Sequence, residues 1–444
     1  MNGELPKGWI WTSLENIADI VLGQSPPSST YNEDKIGLPF YQGKSEFGLI
    51  YPTPTKWCFS PKKIAESGDI LISVRAPVGP TNICPEKSCI GRGLAAIRGL
   101  ENINNKFILY LLRNFEEQLR NKATGTTFEA ITGNVLRDFE VPLPPLQEQQ
   151  RIVNKIEELF TNLDKGVESL EEVKYKLKVY RKAILKYAME GKLTEKWREE
   201  NKDKIEDFVG ISGFVQINNK TLYKIPTSWR WVRLEEVAKI ILGQSPPSST
   251  YNEDKIGLPF YQGKTEFGQI YPIPVKWCSS PRKIAEKGDV LISVRAPVGP
   301  TNICPEKSCI GRGLAAIRGL KYMDNKFLLY LLRALENDIS SHATGTTFEA
   351  IRGDILKNLA MPLPPLEEQN IIVERIEKLF SLADYIEETV DSKLEQSKTL
   401  RQSILKKAFE GKLVPQDPND EPAEILLEKI KKQRLNKGKL FRRN

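Results

Sequence analysis

Apolar and polar positions follow three distinct patterns along this chain. Short runs such as GDILISVR (Gly68 to Arg75) are bounded by the turn signals APVGP and GRG and predict strands. NKFILYLLRNFEEQL (Asn105 to Leu119) predicts a helix. Further on, Ile156, Leu159, Leu163, Val167, Leu170, Val173, Leu177, Tyr180 and Ile184 recur by threes and fours, 28 residues in eight steps. That period of 3.5 is the coiled-coil period.

A second helix carries a similar stripe at Ile376, Leu379, Ala383, Ile386, Val390, Leu394, Ser397, Leu400 and Ile404. Each helix follows a proline-rich start, VPLPPLQEQQ or MPLPPLEEQN, where the missing N-H groups cost nothing. One narrow stripe on each needs a cover. The alternatives are packing against its own globular domain or pairing of the two helices, and a sustained heptad favours the pair. The first helix leads from one domain to the next and the second has a tail free to return, so the pair should be antiparallel. Roughly 40 residues at about 1.5 Å each would make a rod of about 60 Å.

The whole pattern is written twice. GQSPPSSTYNEDKIGLPFYQGKSEFG, from Gly23 to Gly48, returns from Gly243 to Gly268 with only Ser45 replaced by Thr265. The same offset of 220 relates Gly125 to Gly345, Pro142 to Pro362 and Gly191 to Gly411, without insertion or deletion. A repeat this long is two domains, not a solenoid of short units. The predicted organisation is a domain over 1–145, a long helix over 146–195, a polar linker over 196–224, a second domain over 225–365, a second helix over 366–413 and a C-terminal segment with a basic tail over 414–444. Strands and helices mix in each domain, so the fold class is α+β: two similar domains separated by a long antiparallel two-helix coiled coil, with internal pseudo-two-fold symmetry.

Composition changes this picture little. With 40% apolar and 27% charged residues, no signal peptide and no apolar run near a membrane span, a cytoplasmic location is expected. The net charge of +8 is carried by Lys429 to Arg443, which holds eight basic residues and no acidic one, so the rest of the chain sums to zero. Such a tail is by default a solvated, mobile end. Composition alone therefore does not establish nucleic-acid binding.

Catalytic motifs fail on inspection. Cys84 and Cys89, like Cys304 and Cys309, are spaced C-x4-C without a histidine nearby, which is poor for zinc and leaves buried thiols or a disulfide. Gly37 and Gly43 enclose five residues where a Walker loop needs four. Glu33-Asp34-Lys35 lacks the Pro-Asp partner of a metal nuclease, and no methylase Pro-Pro-aromatic motif occurs. The only histidine, His342, replaces Lys122 of the first copy, so paired chemistry cannot depend on it. Neither a metal nor a catalytic residue is expected, and the chain reads as a binder.

Loop residues retained in both copies are the binding candidates: Gln24, Ser25, Tyr41, Gln42, Lys44, Arg75, Arg92, Thr124, Thr126 and Thr127, and at the same offset Gln244, Ser245, Tyr261, Gln262, Lys264, Arg295, Arg312, Thr344, Thr346 and Thr347. Arginine and lysine suit guanine edges or phosphates, glutamine suits adenine, and threonine hydroxyls suit phosphates. Arg75 also fits an ion-paired strand end, and TGTT a simple turn.

TGTTFEAI, the VPLPPLQEQQRIV helix start, the helix exits AILKYAMEGKL and SILKKAFEGKL, and LVPQDPNDEPAEILLEKI together resemble the specificity subunit of type I restriction-modification systems. The resemblance covers nearly the whole chain. It implies two target recognition domains, each reading half of a split sequence in double-stranded DNA, with paired helices as a ruler. It further implies docking of two methyltransferase subunits, with restriction subunits outside them. S-adenosylmethionine, ATP and magnesium then belong to those partners, and this chain needs no cofactor. Two nearly identical domains imply an interrupted palindrome. A stand-alone DNA-modifying or DNA-cleaving enzyme and a symmetric protein adaptor are the alternatives.

Overall fold

The apolar run at Gly68 to Arg75 forms a strand with both faces covered, which is why polar alternation is missing from it. A computed structural model of the chain describes residues 4–124, 129–202, 224–343 and 350–441. They divide into two units, Met1–Leu170 with Ser392–Asn444, and Glu171–Asp391. Each unit combines one copy of the repeat with part of both long helices.

In the first unit the strands are β1 (Ile10–Ser13), β2 (Ala18–Leu22), β3 (Tyr31–Asn32), β4 (Leu38–Tyr41), β5 (Lys56–Cys58), β6 (Ile64–Ala65), β7 (Ile70–Ser73), β8 (Thr81–Ile83), β9 (Ser88–Ile90), β10 (Leu94–Gly99) and β11 (Glu140–Leu143). An antiparallel sheet runs β2-β10-β7-β8, with Ala95 opposite Leu22 and Ile72. A second sheet runs β3-β5-β4-β9-β6, in which β4 and β9 are parallel. Side chains of β7 alternate between two cores. Ile70 and Ile72 meet Phe107, Ile108 and Leu111 of the helix Asn105–Asn114, whereas Leu71 packs with Tyr41, Ala65 and Ile90 of the second sheet. The four-stranded sheet is thus the middle layer.

β1 pairs with β11 and brings Trp9 to the start of the first long helix, Leu146–Met189. Ile152, Val153, Ile156 and Phe160 of that helix complete the first core. So do Ile404, Leu405, Ala408 and Phe409 of the second long helix, Leu366–Phe409, and Ala423, Leu426 and Ile430 of the C-terminal helix, Ala423–Phe441. The expected free basic tail is therefore corrected over its described part: its apolar stripe docks, and Arg434 binds Asp19 and the Glu15 carbonyl. Both helices begin at the residues expected from the prolines and end four residues short of 413 in the second case and six short of 195 in the first.

The second unit repeats the element order from Arg230–Arg233 to Ala360–Leu363. Its core takes in Ile184, Leu185, Ala188 and Met189 from the end of the first long helix, with Ile372, Val373 and Ile376 from the start of the second. Most of the linker expected over 196–224 lies outside the described residues; its first part forms the short helix Glu195–Glu200.

The long helices pair in each unit. In the second, Lys174 binds Asp391 (2.7 Å) and Arg181 binds Asp384 (2.5 Å), seven residues on along one helix and seven back along the other, which is antiparallel heptad register. Leu177, Ala383 and Val390 are buried there. In the first, Arg401 binds Asp164 and lies over the Phe160 ring. Two positions of the predicted stripe are corrected. Tyr180 and Leu400 are 41% and 51% exposed, and the seam passes instead through Arg181 and Arg401. Their aliphatic stems cover apolar neighbours while the guanidinium reaches a carboxylate at the edge.

All six cysteines are buried free thiols. Cys84 packs beside Tyr41, whereas Cys89 packs beside Phe40 and Cys58, so Cys84 and Cys89 form no disulfide. Burial pushes their thiols up to about 11 and about 12.

Candidate nucleic-acid interface

The site is built on the Gly91-Arg92-Gly93 turn between β9 and β10. Here the backbone of three loops closes to contact distance. A Cβ on Gly93 would stand 2.3 Å from the Gln42 carbonyl oxygen, and one on Gly23 would stand 2.1 Å from that of Gly91. Only glycine permits that approach. Gln24 N-H donates to the Ile90 carbonyl, Arg92 N-H donates to Ser25 Oγ (3.2 Å), and Val74 N-H donates to the Gly93 carbonyl. Arg75 and Thr124 each bridge to Ala130, tying Thr124 and Ala130 to the same rim.

Gln24, Ser25, Gln42, Arg75, Arg92 and Thr124 are therefore brought together, with Lys44 two residues beyond Gln42. Lys44, Arg75 and Arg92 are exposed, and none forms an ion pair among the described residues. Other cations of the domain are committed. Arg98 holds Asp69 with two hydrogen bonds (2.7 and 2.8 Å), and Arg113 donates to the Leu49 and Thr81 carbonyls. Burial lowers the Arg113 pKa from its ordinary value. Unpartnered guanidinium and ammonium groups on one rim, beside glutamine amides, have the chemistry that phosphates and base edges call for.

The second unit reproduces the arrangement. Arg312 N-H donates to Ser245 Oγ (3.2 Å), Gly313 abuts the Gln262 carbonyl, Arg295 bridges to Ala350, and Gln244, Gln262, Lys264, Arg295 and Arg312 are exposed. Thr126, Thr127, Thr344, Thr346 and Thr347 lie outside the described residues.

Tyr41 and Tyr261 are corrections. Both are 0% exposed and fill the small core between the sheets, because β4 turns alternate side chains inward and Tyr41 falls on the inward face. Burial pushes each phenol up to about 12. Lys35, considered above only within a nuclease-like triplet, lies over the Trp57 ring of the second sheet, as Lys255 lies over Trp277. The recurrence of both members in the two copies was the available signal.

Two segments of the chain, 6–175 and 226–396, match the family model for the type I restriction modification DNA specificity domain. The chain belongs to the type I restriction-modification specificity family. A putative type I restriction enzyme MjaX specificity subunit of Methanocaldococcus jannaschii is 34% identical over 436 residues, covering 93% of this chain and 95% of that one. The EcoDI specificity subunit of Escherichia coli is 27% identical over 98% of this chain and 97% of its own. Among solved structures, one from work on assembly and conformational transition of the type I R-M system has a TM-score of 0.72 at 32% identity, covering 92% of this chain and 100% of that one. The HsdS subunit of Thermoanaerobacter tengcongensis gives 0.57 at 32% identity, covering 93% and 99%. The family model thus covers both rims and most of both long helices. Among the described residues no His, Cys, Asp and Glu converge as metal ligands, and no helix is long and apolar enough to cross a membrane.

Proposed function

We propose that this chain is the DNA-reading subunit of a type I restriction-modification complex and that the rim around Arg92, with its repeat around Arg312, contacts the bases. The carrying observation is the pair of equivalent rims, each presenting three exposed cations without a carboxylate partner among the described residues. Membership of the specificity family supports the same reading. Catalysis then resides in partners: two methyltransferase subunits seated on the long helices, and restriction subunits beyond them, with S-adenosylmethionine, ATP and magnesium held there. Six reduced thiols suit the cytoplasm.

Two readers with the same loops take the same short sequence, and we propose that they meet it on opposite strands. The target is then an interrupted palindrome whose central bases are not read. Expressing the chain with its methyltransferase and mapping methylated positions across the host genome tests this. Identical half-sites in inverted orientation are expected, and two unrelated half-sites would overturn the assignment.

A further inference from the structure

In each unit a carboxylate in the first turn of a long helix accepts from a buried indole: Trp9 Nε1 donates to Glu148 Oε2 (2.9 Å) and Trp229 Nε1 to Glu368 Oε2 (2.8 Å). The other oxygens differ. Glu368 Oε1 accepts from Thr194 Oγ1 (2.6 Å) and Arg198 Nη1 (2.5 Å), both on the segment after the first long helix. The repeat offset puts Val414 and Pro418 at those places, and neither side chain carries a donor. Glu148 Oε1 has no hydrogen-bond partner among the described residues, although Glu148 is only 1% exposed. Arg151, one turn along, is bound to both oxygens of Asp420 (3.2 and 2.5 Å).

Glu148 lines a cavity of about 370 Å³, together with Trp9, Gln416, Asp417, Asp420 and Glu424. A buried carboxylate oxygen without a donor is costly, and desolvation duly raises the Glu148 pKa above the usual carboxylate range. The wall is acidic, and among the described residues the one basic residue lining it, Lys7, does not bond to Glu148.

We propose that this cavity receives an arginine side chain of the methyltransferase partner, whose guanidinium takes beside Glu148 the place that Arg198 takes beside Glu368. The proposal rests on the specificity-subunit reading for the identity of the partner. Arginine is preferred to lysine because the internal counterpart is a planar fork, whose Nη1 reaches a carboxylate and a hydroxyl at once (2.5 and 2.8 Å), and Asp417 and Glu424 offer further acceptors. In this reading the first repeat left a socket for a partner where the second repeat supplies its own side chain. The two ends of the subunit are thereby distinguishable to a methyltransferase, although their reading rims are nearly the same.

The test uses the full chain and Glu148→Gln, which keeps the acceptor for Trp9. Calorimetric titration with argininamide, and with lysinamide as comparison, should show one site preferring argininamide that weakens by roughly tenfold in Glu148→Gln, the loss of a charge-assisted hydrogen bond. Absence of a site, or equal affinity in both proteins, overturns the socket. Titration with purified methyltransferase should show one of two docking events weakened by a similar factor in Glu148→Gln. Unchanged docking overturns the assignment of the partner. If the wild-type chain itself fails to dock methyltransferase, the functional reading fails, and the argininamide result still decides the cavity.

Discussion

Arg181 of the first long helix holds Asp384 of the second at 2.5 Å, and Glu387 at 2.8 Å, in a seam whose heptad would place Tyr180 there. At the repeat offset Arg401 holds Asp164. Both arginines are more than two-thirds buried, so they are packing residues as well as charges. Arg181→Ala should therefore cost about 1.5 to 3 kcal/mol, the range of a hydrogen bond to a charged group. Urea unfolding of the full chain measures it, and a loss that disappears entirely in 1 M salt would mean that the stem contributes nothing.

The seam has a softer and a harder place. Leu170 is half-buried, whereas Leu177 is 7% exposed, and Ala383 and Val390 of the second long helix are buried as well. Leu177→Glu should cost several kcal/mol by burying an unpaired charge. Leu170→Glu should cost clearly less, because its carboxylate stays in reach of water. Equal losses in thermal unfolding of the two variants would refute the burial order.

What the sequence made legible was whatever depends on period and repetition: the strand at β7, both long helices and their first residues, and the helix starting at Asn105, although the single helix expected to Leu119 breaks at Phe115 into Asn105–Asn114 and Glu116–Asn121. What it hid depends on side-chain direction and partner. Tyr41 and Gln42 are adjacent and equally repeated, yet one points into a core and the other to solvent, a matter of strand phase. Tyr180 and Arg181 are likewise adjacent, and hydropathy ranks them in the wrong order because a long basic stem covers a seam better than the scale allows. The Glu148 cavity was hidden because the change of Thr194 and Arg198 to Val414 and Pro418, visible at the repeat offset, gains meaning only once the fold sets those positions beside a buried carboxylate.

The Tyr41 hydroxyl is buried beside Cys84 and close to Ser88, without a hydrogen bond of good geometry among the described residues. Tyr41→Phe should leave DNA recognition unchanged and raise stability by about 1 kcal/mol, the desolvation cost no longer incurred. Loss of sequence-specific DNA protection in that variant would restore Tyr41 to the reading surface.

Buried thiols give the chain an alkaline limit. Cys84 and Cys304 are pushed from 9.0 up to about 11 because the fold disfavours the thiolate. Below pH 9 the thiol is neutral folded and unfolded, and stability does not depend on it. Between pH 9 and about 11 only the unfolded chain loses the proton, so stability falls by about 1.4 kcal/mol per pH unit for each such thiol. Urea midpoints across that range should fall less steeply in Cys84→Ala, and an unchanged slope would show that this thiol is not the titrating group.

Recognition should respond symmetrically to changes on the two rims. Gln42 and Arg92 share their backbone neighbours with Gln262 and Arg312 down to the same glycine approaches, so each pair has the same side-chain reach. One of the few differences between the copies leaves this unchanged. Gln269, which replaces Leu49, points its amide at Asp384 of the second long helix (3.3 Å) instead of joining the Arg312 rim. Arg92→Ala and Arg312→Ala should therefore relax the same base position in opposite half-sites, each by about 1 to 3 kcal/mol of discrimination if the contact is to a base edge. If the contact is to phosphate, both variants should weaken binding to all sequences alike and lower the salt slope by about 1. Competition binding of the complex to half-site variants at two salt concentrations separates these. A change confined to one variant would show that equal loops do not read equal bases.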